Sequence, residues 1–108
     1  MLRKHIKVEP RRYYYHCDRL GVLVWQDMPS GDMGNRWEPR PAIIGKATEK
    51  ERTPESEKIF RTEWQAIMDA THNFPSIVVW VPFNEAWGQF KTEEITNWTM
   101  KYDPSRLV

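Results

Sequence analysis

The chain opens with two hydrophobic patterns of different period. Residues 2–8 alternate between apolar and polar side chains, which predicts the end of a strand that runs into a loop. Pro10 suits the first turn of a helix, where its missing N–H group would have no partner. Gly21 is suited to end that helix in the left-handed conformation. Between them, apolar and aromatic side chains recur at helical spacing: Tyr13, Tyr14, Cys17 and Leu20.

Two short apolar runs predict strands that are buried on both faces. They are residues 22–25, with the sequence Val-Leu-Val-Trp, and Ile77–Val81. Runs of β-branched and aromatic residues without alternation are typical of a parallel sheet covered by helices, so Trp25 and Trp80 are expected to pack inside the fold. Residues 106–108 predict the start of one more strand.

Two further helices are predicted from their start signals. The hydroxyl of Thr53 can cap a helix with Pro54 at its first position, and this helix should end near His72. Thr92 can cap a last helix, which should stop at Asp103. The first of these helices has an apolar face with Phe60, Trp64, Ile67 and Met68. The last has Glu93 and Glu94 in its first turn and an inner face with Ile95, Trp98, Thr99 and Tyr102.

The segment 27–52 follows neither period and holds three glycines and three prolines. A structureless loop of this length is unusual inside a compact domain, and such loops are often functional. Around it the predicted order is strand, helix, strand, helix, strand, helix and the start of a strand, which favours a parallel α/β sheet. Both ends of the chain lie against strand-like segments, whereas domain boundaries usually fall in exposed linkers. We therefore expect residues 1–108 to be a piece of a single larger domain.

Composition narrows the classes of partner. Sixteen basic and fifteen acidic residues give a net charge of +1, so nothing in the charge favours nucleic acid or an anionic membrane. No apolar run approaches the roughly 20 residues that span a bilayer, and no secretory signal opens the chain. The single Cys17 excludes an internal disulfide framework. The three histidines lack metal-ligand spacing and no glycine-rich phosphate loop is present, so neither a metal nor a cofactor is predicted.

Polar residues at the carboxyl ends of the predicted strands are the candidates for chemistry. They are Arg3, His5, Gln26, Asp27, Asn84 and Glu85. In parallel barrels the active site lies at these strand ends. Glu85 follows an apolar strand, and apolar surroundings favour the protonated form of a carboxyl group that a general acid needs. The alternative is that Asn84 and Glu85 only cap the strand and start the next loop.

The chain resembles the catalytic barrel of glycoside hydrolase family 2, the group of β-galactosidases, β-glucuronidases and β-mannosidases. Arg3 resembles the arginine at the end of the family's second barrel strand. Residues 17–24 resemble the helix end and third strand, and residues 74–80 resemble the Pro-Ser start of the fourth strand. Residues 83–85, Phe-Asn-Glu, then resemble the family's Asn-Glu pair. The resemblance implies a partial (β/α)8 TIM barrel, from the end of strand 2 to the start of strand 5.

What this resemblance implies for function is a segment of a retaining β-glycosidase. Glu85 would be the acid/base catalyst, Asn84 would bind the sugar, and Arg3 would shape the floor of the site. His5, Asp27 and Trp87 would contact a carbohydrate substrate. The nucleophile would lie on the seventh barrel strand, outside this chain, so the 108 residues alone are expected to be inactive. The family is compatible with a secreted or periplasmic parent enzyme, but the residues do not determine the compartment.

Several departures from the family pattern leave the particular sugar open. Asp27 stands where the family often has glutamate, the usual Ser-His-Tyr-Pro pattern is replaced around His5, and Trp87 begins an uncommon sequence after the catalytic pair. A non-catalytic carbohydrate-binding or degenerate barrel segment is the alternative function. Trp37, Trp87 and Phe90 could stack on a sugar or pin their loops to the barrel. A cut barrel has open edges, so the isolated chain is expected to self-associate.

Overall fold

A computed structural model of the chain describes residues 1–31, 49–84 and 88–108, together with the backbone of two short strands between the first two ranges. In chain order the elements are β1 (Leu2–Lys4), α1 (Arg11–Leu20), β2 (Val24–Asp27), β3 (Ala42–Ile43), β4 (Lys46–Ala47), α2 (Pro54–Thr71), β5 (Ile77–Val81) and α3 (Thr92–Tyr102). The alternation of strands and helices predicted from the sequence is confirmed.

The main sheet contains β1, β2 and β5 in that order, and all of its pairings are parallel. A parallel bridge between Val79 and Leu107 adds the start of a fourth strand beside β5. The order of these strands in the sheet is therefore their order along the chain. Such a sheet is built by repeating one β-α unit, each unit adding its strand to the same growing edge.

Helix α1 begins one residue later than the sequence predicted. Pro10 precedes the helix as its cap, with extended backbone at φ −58° and ψ 148°, and does not lie in the first turn. Gly21 ends the helix at φ 67°, and its N–H group and that of Val22 bond back to the carbonyl groups of Asp18 and Cys17. Tyr14 and Cys17 are buried as expected. Leu20, the last residue of the helix and the last of the apolar positions at helical spacing, is exposed.

The strand β2 lies two residues further along the chain than predicted. Residues 22 and 23 lead into it, and its last two residues, Gln26 and Asp27, are polar but fully buried. Polar side chains can end a buried strand when other side chains satisfy their hydrogen bonds. Trp25, expected to pack inside, is 40% exposed on the face opposite to the helices. The expectation of burial on both faces is therefore wrong for β2 in this chain.

Helix α2 follows its start signals. Thr53 caps it, since its Oγ1 accepts a hydrogen bond of 3.2 Å from the N–H group of Ser56, and Pro54 is the first residue. The helix ends at Thr71 with His72 as its C-cap, which agrees with the predicted end near His72. Its buried side chains Phe60, Trp64 and Met68 pack on the sheet, and burial of a side chain such as Phe60 contributes about 1.5–3 kcal/mol. Trp64 meets the strand residue Trp80 edge to face, with ring centroids 5.6 Å apart.

Helix α3 differs from the prediction at its start. Thr92 is its first residue and not its cap, because Lys91 occupies the cap position with a left-handed backbone at φ 39°. The N–H group of Thr92 instead donates to the carboxylate of Glu49, 2.6 Å away. Glu93 and Glu94 lie in the first turn and Asp103 ends the helix, as expected. Ile95 and Thr99 are buried and Trp98 is partly buried, but Tyr102 is exposed.

The segment between β2 and α2 contains secondary structure that the sequence did not predict. Its described backbone includes an antiparallel pair, in which Ala42 lies opposite Ala47 and Ile43 opposite Lys46. The prediction of a structureless loop over residues 27–52 was therefore wrong for these four residues. Trp37 lies outside the described residues.

A single hydrophobic core joins the three helices to one face of the sheet. α1 supplies Tyr14 and Cys17, α2 supplies three side chains, and α3 supplies Ile95, all against Val24, Ile77 and Trp80 of the strands. The other face of β2 carries Trp25. Among the described residues, the helices therefore cover one face of the sheet and leave its other face uncovered. None of the helices in the described part of the chain is both long and apolar enough to cross a bilayer.

Candidate functional site

Three of the side chains predicted at strand ends meet above the carboxyl edge of the sheet. Arg3 of β1 donates from Nε to Oδ1 of Asp27 at 3.0 Å and from Nη2 to Oδ2 at 2.8 Å. The same Nη2 donates to Oδ1 of Asn84, also at 2.8 Å. The parallel register of β1, β2 and β5 brings the three together, although Asn84 is 81 residues from Arg3. We call Arg3, Asp27 and Asn84 the arginine cluster.

Asp27 is held in the arginine cluster by its full set of hydrogen bonds. It is 0% exposed, whereas Arg3 is 42% exposed and so remains in contact with solvent. Besides the two-point pairing with Arg3, Oδ2 accepts the N–H group of Ile6 at 3.1 Å. Ile6 has a left-handed backbone at φ 47°, which is costly for a β-branched residue. Because the extended backbone of a strand does not continue through a left-handed residue, the strand ends at Lys4, before this turn.

In the side-chain amide of Asn84, the oxygen has a hydrogen-bond partner and, within the described part of the chain, the nitrogen has none. Arginine can only donate hydrogen bonds, so the oxygen of the amide must face Arg3 and its NH2 group must point elsewhere. That nitrogen, Nδ2, is buried and has no hydrogen-bond partner among the described residues. The whole residue is only 2% exposed. A buried donor without a partner costs about 1–3 kcal/mol, and such a group in a folded protein calls for an explanation, of which a functional role is one.

Of the remaining predicted site residues, the two that the structure describes, His5 and Gln26, are not brought into this cluster. His5 is exposed, and no hydrogen bond or ion pair joins it to another residue in the described ranges. Gln26 turns toward the helices, where the hydroxyl of Tyr14 donates to it at 2.6 Å. Burial raises the pKa of Tyr14, which keeps this hydroxyl protonated. Glu85 and Trp87 lie outside the described residues.

Arg52 is a second organising residue, which the sequence did not reveal. Its guanidinium donates to the carbonyl oxygen of Gly88 from Nε at 3.0 Å and from Nη2 at 2.8 Å. Nη2 also reaches the carbonyl oxygens of Ser30 at 2.7 Å and Gly31 at 3.3 Å, beyond the end of β2. The only sequence signal is an arginine directly before Thr53, the cap of α2.

Aromatic rings surround this guanidinium. Its central carbon lies 4.5 Å from the ring centroid of Phe90 and 5.0 Å from that of Phe60. Phe90 is buried against Phe60 and Phe83, with centroid distances of 5.1 and 5.7 Å. Of the two possibilities for Phe90, the structure supports the one in which the ring pins its loop to the fold. Such a ring is not available to stack on a sugar.

Nothing in the described part of the chain forms a metal centre, since no three or more His, Cys, Asp or Glu side chains converge there. The two arginine sites instead satisfy carbonyl, carboxylate and amide oxygens of the protein itself. The arginine cluster offers one buried NH2 group, that of Asn84, at the carboxyl edge of a parallel sheet. Chemically, such a group can bind an uncharged hydroxyl or a carbonyl oxygen.

The chain is similar to known proteins over most of its length. Residues 8–108 match the family described as glycosyl hydrolases family 2, TIM barrel domain. Over 88 residues the chain is 33% identical to beta-mannosidase B from Thermothelomyces thermophilus. The alignment covers 82% of this chain but 8% of the length of that relative.

Proposed function

Because the chain belongs to the glycosyl hydrolases of family 2, as part of their TIM barrel domain, we propose that residues 1–108 all lie within one catalytic barrel and run from the end of barrel strand 2 to the start of strand 5. In this assignment β1, β2, β5 and Leu107 belong to four consecutive barrel strands. Their chain-order sheet and the helices on one face support it. A complete barrel needs about 250 residues, so the remaining strands come from elsewhere in the protein.

The reaction in this proposal is the retaining hydrolysis of a β-glycosidic bond. Glu85 is the acid/base catalyst: it protonates the leaving oxygen and then activates the water that releases the sugar. A carboxylate nucleophile lies outside residues 1–108, about 5–5.5 Å from Glu85 in the assembled site. Glu85 follows directly after Asn84, which is anchored at the carboxyl edge of the sheet where barrel active sites lie.

The single observation that carries the proposal is the unpaired Nδ2 of Asn84. A sugar hydroxyl would supply the missing acceptor, and the hydrogen bond would remove the cost of burying the donor. Arg3 fixes the amide in the orientation that leaves Nδ2 available. Asp27 contributes indirectly by holding Arg3, because its own carboxylate is buried and its oxygens already accept hydrogen bonds from the protein. His5 and Trp87 are proposed as further contacts to the substrate.

The substrate in this proposal is a β-linked hexoside. The relative is named a beta-mannosidase, whereas the resemblance of the motifs is to β-galactosidases as much as to β-mannosidases. We therefore expect activity on one of the aryl β-galactosides, β-mannosides or β-glucuronides. The polypeptide 1–108 alone lacks the nucleophile and should hydrolyse none of them.

The test compares Glu85→Gln with Glu93→Gln in the full-length protein. Glu93 is an exposed carboxylate in the first turn of α3 and serves as the matched control. For a phenyl glycoside, whose leaving group needs protonation, Glu85→Gln should lower kcat/KM by about 10²–10⁴-fold, the usual contribution of general acid catalysis. Glu93→Gln should leave it unchanged. Azide should restore turnover of an activated aryl glycoside by Glu85→Ala and give a β-glycosyl azide.

Two results would contradict the proposal in different ways. If Glu85→Gln keeps the activity of the unaltered protein, the acid/base role is wrong. If the unaltered full-length protein binds the sugars in calorimetry but hydrolyses none of the aryl glycosides, the non-catalytic carbohydrate-binding alternative is correct.

A further inference from the structure

Arg52 joins the loops that follow two neighbouring strands. Its guanidinium binds the carbonyl oxygens of Ser30 and Gly31 after β2, and that of Gly88 after β5. Next to it, the N–H group of Lys50 donates to the carbonyl oxygen of Gln89 at 2.7 Å. The residues that lead into α2 are therefore fastened to the residues that lead into α3.

Gly88 is held in place by its hydrogen bonds with Arg52. It is buried, has a left-handed backbone at φ 63°, and accepts two N–H groups from one guanidinium. In sequence, Gly88 closes the segment 85–87 on one side, and Asn84 closes it on the other. Asn84 is bound by Arg3 at 2.8 Å. Two different arginines thus fix the two residues that flank the segment.

We infer that Arg52 is a positioning residue for Glu85, and that it acts through the backbone of Gly88. The inference rests on the proposed acid/base role of Glu85. A displacement of about 1 Å in a reacting group can cost about a hundredfold in rate. A residue that fixes the backbone three positions from the catalytic carboxyl therefore controls how well its proton reaches the leaving oxygen.

The chemistry of this position requires arginine and not merely a positive charge. Carbonyl oxygens on two separate loops are reached at once by the planar fork of Nε and Nη2. The flat guanidinium also fits against the rings of Phe60 and Phe90. A lysine could keep the charge, but its compact ammonium has no flat face to stack on the two rings and no second donor atom to hold the carbonyl oxygen of Gly88 at two points, as Nε and Nη2 do.

The test is the dependence of kcat/KM on the leaving group in the full-length protein with Arg52→Lys. A mispositioned acid matters when the leaving group needs a proton and matters little when it does not. We expect kcat/KM for a phenyl glycoside to fall about ten- to a hundredfold, and kcat/KM for a 2,4-dinitrophenyl glycoside to stay within about twofold. An equal loss for both substrates would overturn the inference.

Arg61→Lys is the matched control. Arg61 also lies on α2, but it pairs with the carboxylates of Glu57 and Glu94 and contacts the ring of Trp98. The leaving-group dependence should be unaltered by this substitution. Phe90→Leu, which removes one of the two rings and leaves the guanidinium in place, should produce a weaker form of the Arg52→Lys effect. If Arg61→Lys also lowers kcat/KM for the phenyl glycoside and not for the 2,4-dinitrophenyl glycoside, the inference is wrong.

A double variant separates failure of this inference from failure of the proposed function. If Arg52 acts through Glu85, Arg52→Lys should cause almost no further loss for the phenyl glycoside once Glu85→Gln is present. Additive losses would overturn the positioning role while leaving Glu85 as the acid. If Glu85→Gln alone is fully active, the proposed function itself fails.

Discussion

Replacing Asp27 by asparagine should destabilise the fold far more than the loss of one surface charge. Both carboxylate oxygens face donors: Oδ1 faces Nε of Arg3, and Oδ2 faces Nη2 of Arg3 and the N–H group of Ile6. An asparagine has one oxygen and one NH2 group. Whichever way the amide turns, its NH2 group must lie against another donor.

The magnitude follows from the burial of the two partners. Removing one partner of a fully buried ion pair costs about 3–5 kcal/mol. Arg3 is 42% exposed, so water can solvate part of its charge after the substitution. Hydrogen bonds to charged groups are individually worth about 1.5–3 kcal/mol. We therefore expect Asp27→Asn to lower the free energy of unfolding by about 2–4 kcal/mol.

The assay is urea unfolding of the full-length protein, followed by tryptophan fluorescence. Asp69→Asn is the matched control. Asp69 is exposed on α2, and asparagine can still accept the hydrogen bond that the hydroxyl of Tyr102 donates to Asp69, so this substitution should change the free energy of unfolding by less than about 0.5 kcal/mol. Should Asp27→Asn cost no more than Asp69→Asn, the arginine cluster does not hold the carboxyl edge of the sheet as described. The explanation of Asn84 orientation through Arg3 would then be wrong as well.

Two further predictions concern acid stability and association. Burial by itself would raise the pKa of Asp103, but the hydrogen bonds from Ser105, Trp80 and Arg106 outweigh it and lower the pKa. The stability from these contacts is thus present above the unfolded pKa of about 3.9 and is lost as the pH falls below it. In Asp103→Asn, the free energy of unfolding should therefore depend less on pH between about pH 4 and pH 2. The polypeptide 1–108 alone should self-associate at micromolar concentration through its open face, and Trp25→Ser should weaken this; a monodisperse monomer in light scattering would count against the barrel assignment.

The parts of the fold that could be predicted are those whose signals are local. The apolar run of β5 and the cap of α2 are contained in a few consecutive residues, and both are confirmed. β2 was placed two residues early because Gln26 and Asp27 look like strand-end polar residues. They belong to the strand because Tyr14 and Arg3, 12 and 24 residues away, satisfy their hydrogen bonds.

In the candidate site, too, the positions of residues could be predicted from local signals, whereas contacts between distant residues could not. The sequence placed Arg3, Asp27 and Asn84 at strand ends, and the structure brings them into one cluster. The sequence did not indicate that protein donors occupy both carboxylate oxygens of Asp27. The N–H group of Ile6 can reach this carboxylate only because Ile6 adopts an unusual backbone conformation. The role of Arg52 could not be predicted, because its main acceptor is a backbone carbonyl group 36 residues away. Every residue has such a group, so the sequence does not show which one Arg52 contacts.

The chain-order sheet has a consequence for how the polypeptide acquires its structure during synthesis. β1 pairs with β2, β2 with β5, and β5 with Leu107, so each strand joins a partner that has already left the ribosome. No described strand of the main sheet must wait for a later one to be inserted between two earlier strands. The nascent sheet can therefore lengthen at one edge as translation proceeds, with each new helix covering the strand pair before it.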